Sequence, residues 1–304
     1  MNFIITVDTE GDNQWSWKLG EKINTENAKY IDTFQKLCEE YGYKPVYLVN
    51  YEMAQSDILL DTIKKSSLKG RCEIGMHLHA WNTPPDYDVS QKFDGCPYIT
   101  EYPKAIIKTK HQFLKNYLEE RFEQEIVSYR AGRWSTNDAL FDVLEDLGIK
   151  VDCSVTPGVN HNSNPGRSVA GGNDYSSFSN KPFRLRENLI EIPMTTYRKR
   201  VLKGSSIRAT ASHIIKGKEQ WFRPAVSSFD EMIDLIATNK KHGFDYVDMM
   251  IHSSELMPGG SPYCKNMDDV NQMILKIERV FKTVQKEYKG TTLKEYYEII
   301  KTKV

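Results

Sequence analysis

The chain lacks any imbalance of charge: 41 Lys and Arg meet 41 Asp and Glu among 304 residues, for a formal net charge of zero. Nucleic-acid binding normally leaves a basic excess, so that class is excluded as a first reading. Lys and Arg are spread along the chain, so no polybasic tract points to a membrane surface either. No apolar run approaches the roughly 18–20 residues of a membrane span. No CxxC pair is present, and the five cysteines (Cys38, Cys72, Cys96, Cys153, Cys264) are odd in number and widely spaced. That pattern excludes a disulfide framework or a zinc knuckle and reads as reduced thiols. The first residues, Met1 to Asp8, show no basic n-region, apolar h-region or cleavage site, so a cytoplasmic protein is expected. Nor is there an internal repeat or a low-complexity linker, and one domain is expected.

What is present is an alternation of short apolar runs and amphipathic stretches. Strands are expected at 3–7, 45–49, 72–79, 126–130, 150–155, 189–193 and 246–252. Helices are expected at 26–41, 52–65, 102–122, 136–147, 268–287 and 293–301. Ala28, Ile31, Phe34, Leu37 and Cys38 share one face of the first helix. Alternation at this spacing argues for a parallel α/β sheet, closed or wound with helices outside. The stretch 156–186 is rich in Gly, Ser, Asn and Pro, and a loop of that length inside a domain is more often functional than a linker.

Polar residues of catalytic type fall at strand ends, which in parallel α/β folds converge on one rim. Asp8 and Glu10 end the first strand on the same side. Two carboxylates that close repel unless a cation sits beside them. An ordinary turn capped by Asp12 or Asn13 would show the same letters. His77 and His79 end the third strand, again on one side, and neutral imidazole is a good ligand for zinc and similar metals. One of the two could instead simply hydrogen-bond in the core. Arg130 and Arg133 end the fourth strand, Asp152 lies on the fifth, and His252 ends a late one. A lone histidine there would suit a general acid or a structural role. Trp15, Trp17, Trp81 and Trp134 offer flat faces of the kind sugar rings stack on, or are ordinary rim aromatics. His111 and His242 are expected to be exposed, while His161 and His213 lie in the irregular half, within possible reach of a substrate.

Taken in order, the segments VDTEGD, EIGMHLHAW, YRAGRW, VDCSVTPG and MIHSSEL resemble those of the polysaccharide deacetylase family, the NodB-homology carbohydrate esterases, over roughly residues 3–260. The resemblance implies a distorted, partly open (β/α) barrel of about seven parallel strands. It implies one catalytic domain over 1–304, with an irregular insertion at 156–186 and C-terminal helices at 268–301. It also implies removal of an N- or O-linked acetyl group from a sugar or glycan precursor, assisted by one divalent metal. Zinc comes first, with manganese, cobalt or nickel as alternatives. Carried over by motif, Asp8 is the general base, Glu10, His77 and His79 are the metal ligands, Arg130 orients the base, and His252 is the general acid, tuned by Asp152.

The sequence departs from the family pattern in three places. The usual adjacent aspartates are Asp8-Thr9-Glu10 here. Trp81 stands where the second histidine of the usual pair would fall, and Ala131-Gly132 follow the arginine in place of a proline. Two other readings fit the same residues. One is a glycoside hydrolase pairing Asp8 with Asp152 or Glu255. The other is a sugar-binding protein that kept the fold and lost the metal.

Overall fold

The structure is a computed structural model and describes residues 1–12, 14–18, 20–199 and 217–304. Its first strand, β1 (Asn2–Thr9), is buried along its whole length. Next come β2 (Pro45–Val49), β3 (Glu73–Leu78), β4 (Ser128–Ala131), β5 (Val151–Asp152), β6 (Phe183–Arg184) and β7 (Ile190–Glu191). The late strand β10 (Tyr246–His252) is apolar but for Asp248 and its terminal histidine. Hydrogen bonding orders them β10-β1-β2-β3-β4-β5-β7-β6, and every neighbouring pair from β10 to β7 is parallel. The antiparallel β6 closes the far edge, and the sheet curls into a half-barrel. The seven parallel strands of this path are those the sequence leads one to expect, and a two-residue strand, β11 (Lys289–Gly290), adds to β1 in parallel beside it. Their near-continuous apolar character follows from burial on both faces.

Helices cover the outside. Helix α1 (Ile31–Glu40) buries Ile31, Phe34 and Cys38, and a 3₁₀ turn over Glu26–Tyr30 precedes it. The single helix expected over 52–65 is two, α2 (Tyr51–Ala54) and α3 (Asp57–Leu68). The Ser56 hydroxyl accepts from the Leu59 N–H and starts the second afresh. Helix α4 (Lys104–Phe122) begins after Pro103, and α5 (Asp138–Asp146) is capped by the Asn137 side chain on Leu140 N–H. Helices Phe229–Lys241, Met267–Val284 and Leu293–Ile300 complete the described layer.

Register carries the site. Asp8 on β1 lies opposite His252 on β10, and His77 on β3 lies opposite Arg130 on β4. The 156–186 stretch carries one isolated bridge, Asn160–Asp174, and lies over the rim, with Tyr175 Oη donating to the Trp134 carbonyl. A separate antiparallel pair, β8 (Thr196–Lys199) with β9 (Lys218–Trp221), is not marked by the sequence periodicity. It leads into Arg223, which lines the rim cleft. Asn13 and His213 lie outside the described residues.

Candidate active site

At the carboxyl ends of the strands is a cleft of about 600 Å³, lined by Asp8, Glu10, His77, His79 and His252 with Trp15, Trp17, Trp81 and Trp134. That volume lies within the usual range for small-ligand sites. Among the described residues, Glu10, His77 and His79 form the one group able to hold a metal ion, with their ligand atoms all within 4.8 Å. Glu10 Oε2 is 3.4 Å from His77 Nε2 and 3.2 Å from His79 Nε2, and the two Nε2 atoms are 3.0 Å apart. Donors around one four-coordinate ion with bonds near 2.0–2.1 Å stand about 3.3 Å apart, so these three match three corners and leave the fourth open. The donor set fits a divalent ion of the zinc type.

The backbone around the three donors is fixed. Asn27 Nδ2 donates to the Glu10 carbonyl at 2.8 Å, and the Glu10 N–H donates to Ser253 Oγ at 3.1 Å. The Arg130 carbonyl sits 3.0 Å from His77 Nδ1. An N–H at Nδ1 donating there leaves the Nε2 lone pair toward Glu10. His79 Nδ1 is buried without a partner among the described residues. Trp81 lies over His79, with ring centroids 4.5 Å apart and an interplanar angle of 31°. Trp81, at the position where the motif resemblance would put a second histidine, therefore covers His79, which strand alternation turns to the same side as His77. A Cβ on Gly132 would come 2.3 Å from His79 Cδ2 and 2.6 Å from the Leu78 carbonyl oxygen, so the Ala131-Gly132 departure makes room for this imidazole.

Asp8 is held from below. Arg130, fully buried, donates from Nη1 to Asp8 Oδ1 at 2.7 Å. Its Nη2 donates to Thr6 Oγ1 at 2.9 Å and Asp248 Oδ2 at 3.2 Å, and its Nε to the Cys153 carbonyl at 3.0 Å. Burial alone would raise the Asp8 pKa; the Arg130 guanidinium, with His77 and His252, outweighs it and holds the carboxyl below its usual range. Burial would also raise Glu10, but His252, His77 and His79 hold it well below. His77 is pushed up: burial opposes its charge, and Asp8 and Glu10 more than compensate. Burial pushes His79 down. Two ionised carboxylates sharing a buried pocket set up a field that calls for a cation.

His252 Nε2 lies 3.9 Å from Asp8 Oδ2 and 3.7 Å from Glu10 Oε1. On its other side, Arg223 Nη2 is 2.9 Å from His252 Nδ1. Glu255, fully buried, accepts from Arg223 Nη2 and, at 3.0 Å, from the His252 backbone N–H. Burial would raise the Glu255 pKa, but Arg223 and His252 bring it down to about 2.

Six of the expected site residues (Asp8, Glu10, His77, His79, Arg130, His252) therefore converge. Asp152 does not: it is fully buried off the cleft, accepts from Ser154 Oγ at 2.5 Å, and faces Glu191. Arg133 lines the cleft but donates to the Cys96 and Pro165 carbonyls and stacks 4.0 Å over Tyr98, a loop-pinning role. Arg133 and Trp134 both have left-handed backbones, φ 57° and 60°, which turn the indole into the cleft. His111 is corrected from exposed to buried: it lies on the inner face of α4, against the Ile107 carbonyl and Tyr129 Oη. His161 is buried against Thr156 Oγ1, and His242 is exposed as expected. Sequence reasoning missed Arg223, Asp248 and the link from Glu255 to His252. The i, i+3 spacing of His252 and Glu255 could have marked the last; Arg223, on an irregular connection, left no periodic signal.

No family model and no curated protein sequence matches the chain. Among solved structures it is similar to a protein from Mycobacterium smegmatis assigned to the polysaccharide deacetylases. The TM-score is 0.59 and the identity 11%, over 99% of this chain and 91% of that one. It is also similar to a GH57 branching enzyme from Thermococcus kodakaraensis, with TM-score 0.57, 9% identity, and 98% and 70% of the two chains covered. A 4-alpha-glucanotransferase from Thermococcus litoralis gives TM-score 0.55 and 11% identity, over 98% of this chain and 40% of that one. The chain has the fold of the polysaccharide deacetylases, as the motif resemblance implies. At such identities the likeness carries the fold alone.

Proposed function

We propose that this protein is a metal-dependent carbohydrate deacetylase, hydrolysing an N- or O-linked acetyl group on a sugar or glycan precursor. The observation that carries the reading is the convergence of Glu10, His77 and His79 in an aromatic cleft, with Asp8 and His252 beside them. A divalent ion held by those three, zinc first among the candidates, would supply an acidic bound water and polarise the acetyl carbonyl. Asp8 is the base: Arg130 occupies Oδ1 and keeps the carboxylate ionised, and Oδ2 is left to take a proton. His252 stands beside Asp8 on the neighbouring strand, where its imidazolium can donate a proton from Nε2 to the departing oxygen or nitrogen. The four tryptophans give flat apolar faces for the sugar ring.

A glycosidase would need two carboxylates facing the substrate, about 5–9.5 Å apart. Asp152 and Glu255 are fully buried and do not line the cleft, and Glu10 is engaged by two imidazoles. The deacetylase reading uses both carboxylates and all three histidines that line the cleft. Acetate release from acetylated mono- and oligosaccharides, assayed with zinc, manganese, cobalt and nickel in turn, tests it. Release that a chelator abolishes is the expected result. Glycosidic cleavage that survives chelation would overturn it.

A further inference from the structure

Beside the catalytic cleft lies a second hollow of about 340 Å³, and the two share a wall. Trp17 and Trp81 line both, their rings nearly parallel with centroids 6.0 Å apart. Trp81 also packs over His79, so the hollow begins one indole away from the proposed metal ligands. Its lining is chemically one-sided. Tyr51 adds a third aromatic ring, Glu21 and Glu52 supply carboxylates, and Asn82 supplies an amide. No Lys, Arg or His lines it among the described residues.

Glu52 is the buried carboxylate of the two, and its oxygens meet neutral amides only. Oε1 accepts from Gln14 Nε2 at 3.3 Å and from Asn50 Nδ2, and Oε2 accepts from Asn82 Nδ2 at 2.6 Å. No described cation offsets its charge, and burial pushes its pKa up to about 7. Taking a lone carboxylate out of water is costly until a cation pairs with it. The faces of aromatic rings, indole above all, draw positive charge through their quadrupoles. A neutral sugar here would hydrogen-bond to the amide and leave the charge as it stands. An ammonium answers the carboxylate and the rings together. We propose that the hollow is an amino-sugar subsite, receiving the ammonium group of a glycan residue against Glu52 and the rings of Trp17 and Trp81. Trp17 is anchored for this by Nε1, which donates to the Glu21 carbonyl at 2.7 Å.

The link to turnover rests on the deacetylase reading, but the binding does not. Under that reading, water and an N-linked acetyl group give acetate and an amine, which takes up a proton. Each turnover on a glycan thus creates the charge that the hollow receives. A residue already stripped of its acetyl group would then seat its acetylated neighbour in the cleft.

The test is titration of methyl glucosaminide, a cation, beside methyl N-acetylglucosaminide and methyl glucoside, both neutral, near neutral pH. Binding is read from the indole ¹H–¹⁵N signals in wild type, Glu52→Gln and Trp17→Leu. Wild type is expected to bind the cationic glycoside about 5- to 30-fold more tightly than either neutral one, and the preference should shrink as salt is added. Each variant should abolish the preference. Equal binding of the three glycosides by wild type overturns the proposal even if both variants fail to fold, and so does a preference that the variants keep. Cation-selective binding without acetate release from any acetylated sugar would sink the deacetylase reading and leave the subsite standing. Acetate release without the preference would do the reverse.

Discussion

Asp8 and His252 stand in register on neighbouring strands, yet their partners differ in kind. The Arg130 guanidinium donates to the carboxylate of Asp8, and the Arg223 guanidinium lies against Nδ1 of His252. Asp8→Asn keeps the shape and can still accept from Arg130, but it loses the basic oxygen. It should lower kcat by about 10²–10⁴-fold while leaving metal affinity within a few-fold, checked by acetate release beside metal titration. Gly132 supplies a second test at this scale. Gly132→Ala would set its Cβ 2.3 Å from His79 Cδ2 and 2.6 Å from the Leu78 carbonyl oxygen, and the latter is backbone that yields little. Displacing His79 should weaken metal binding about 10- to 100-fold with the far-ultraviolet spectrum retained, by analogy with losses of ligand-orienting groups. These residues were legible in the sequence to different degrees. The H-x-H and D-x-E pairs declare themselves because strand alternation puts each pair on one side. Gly132 reads only as a departure until the imidazole it makes room for is seen.

At the scale of elements, the parallel sheet places a buried charge network beneath the rim. Arg130 on β4 ties β1 and β10 through Asp8, Thr6 and Asp248, and the loop after β5 through the Cys153 carbonyl. Removing one partner of a buried ion pair leaves the others uncompensated. Arg130→Met should therefore destabilise the fold by about 3–5 kcal/mol, read from the denaturant midpoint. Next door, Asp152 on β5 and Glu191 on β7 face each other. Their Oδ2 and Oε2 atoms have no donor among the described residues unless one carboxyl carries a proton. Burial raises Asp152 to about 6 and Glu191 well above the carboxylate range. A raised folded pKa means stability that is full below the unfolded value, near 3.8 for Asp152, and lost as pH rises through about 6. In Asp152→Asn the amide N–H replaces the shared proton. Wild type should thus lose stability more steeply than the variant between pH 4 and pH 8, measured by urea unfolding at several pH values. Equal slopes would show that the pair shares no proton. Asp152 looked catalytic in the sequence because it stands on a strand among the other site residues. Its strand is two residues long, and the side chain turns toward β7 rather than the cleft.

Over the whole molecule, the half-barrel gathers one rim from strands far apart in sequence, and the apolar runs announced those strands well. The strands 45–49 and 246–252 match the structure residue for residue, because apolar runs flanked by turn residues leave little freedom. The pair β8–β9 did not announce itself: it is half-exposed, charged, and separated by 18 residues, from 200 to 217. That pair delivers Arg223, which is why the site was legible on its β1, β3, β4 and β10 sides and not on this one. All of the chemistry argued here turns on whether Glu10, His77 and His79 bind a cation. The most direct measurement is calorimetric titration of zinc into metal-stripped protein, beside the His77→Ala/His79→Ala variant and with elemental analysis of each. One ion per chain bound by wild type, and none by the folded variant, is the predicted result. Equal binding by both, or no binding by wild type of zinc, manganese, cobalt or nickel, would contradict the account.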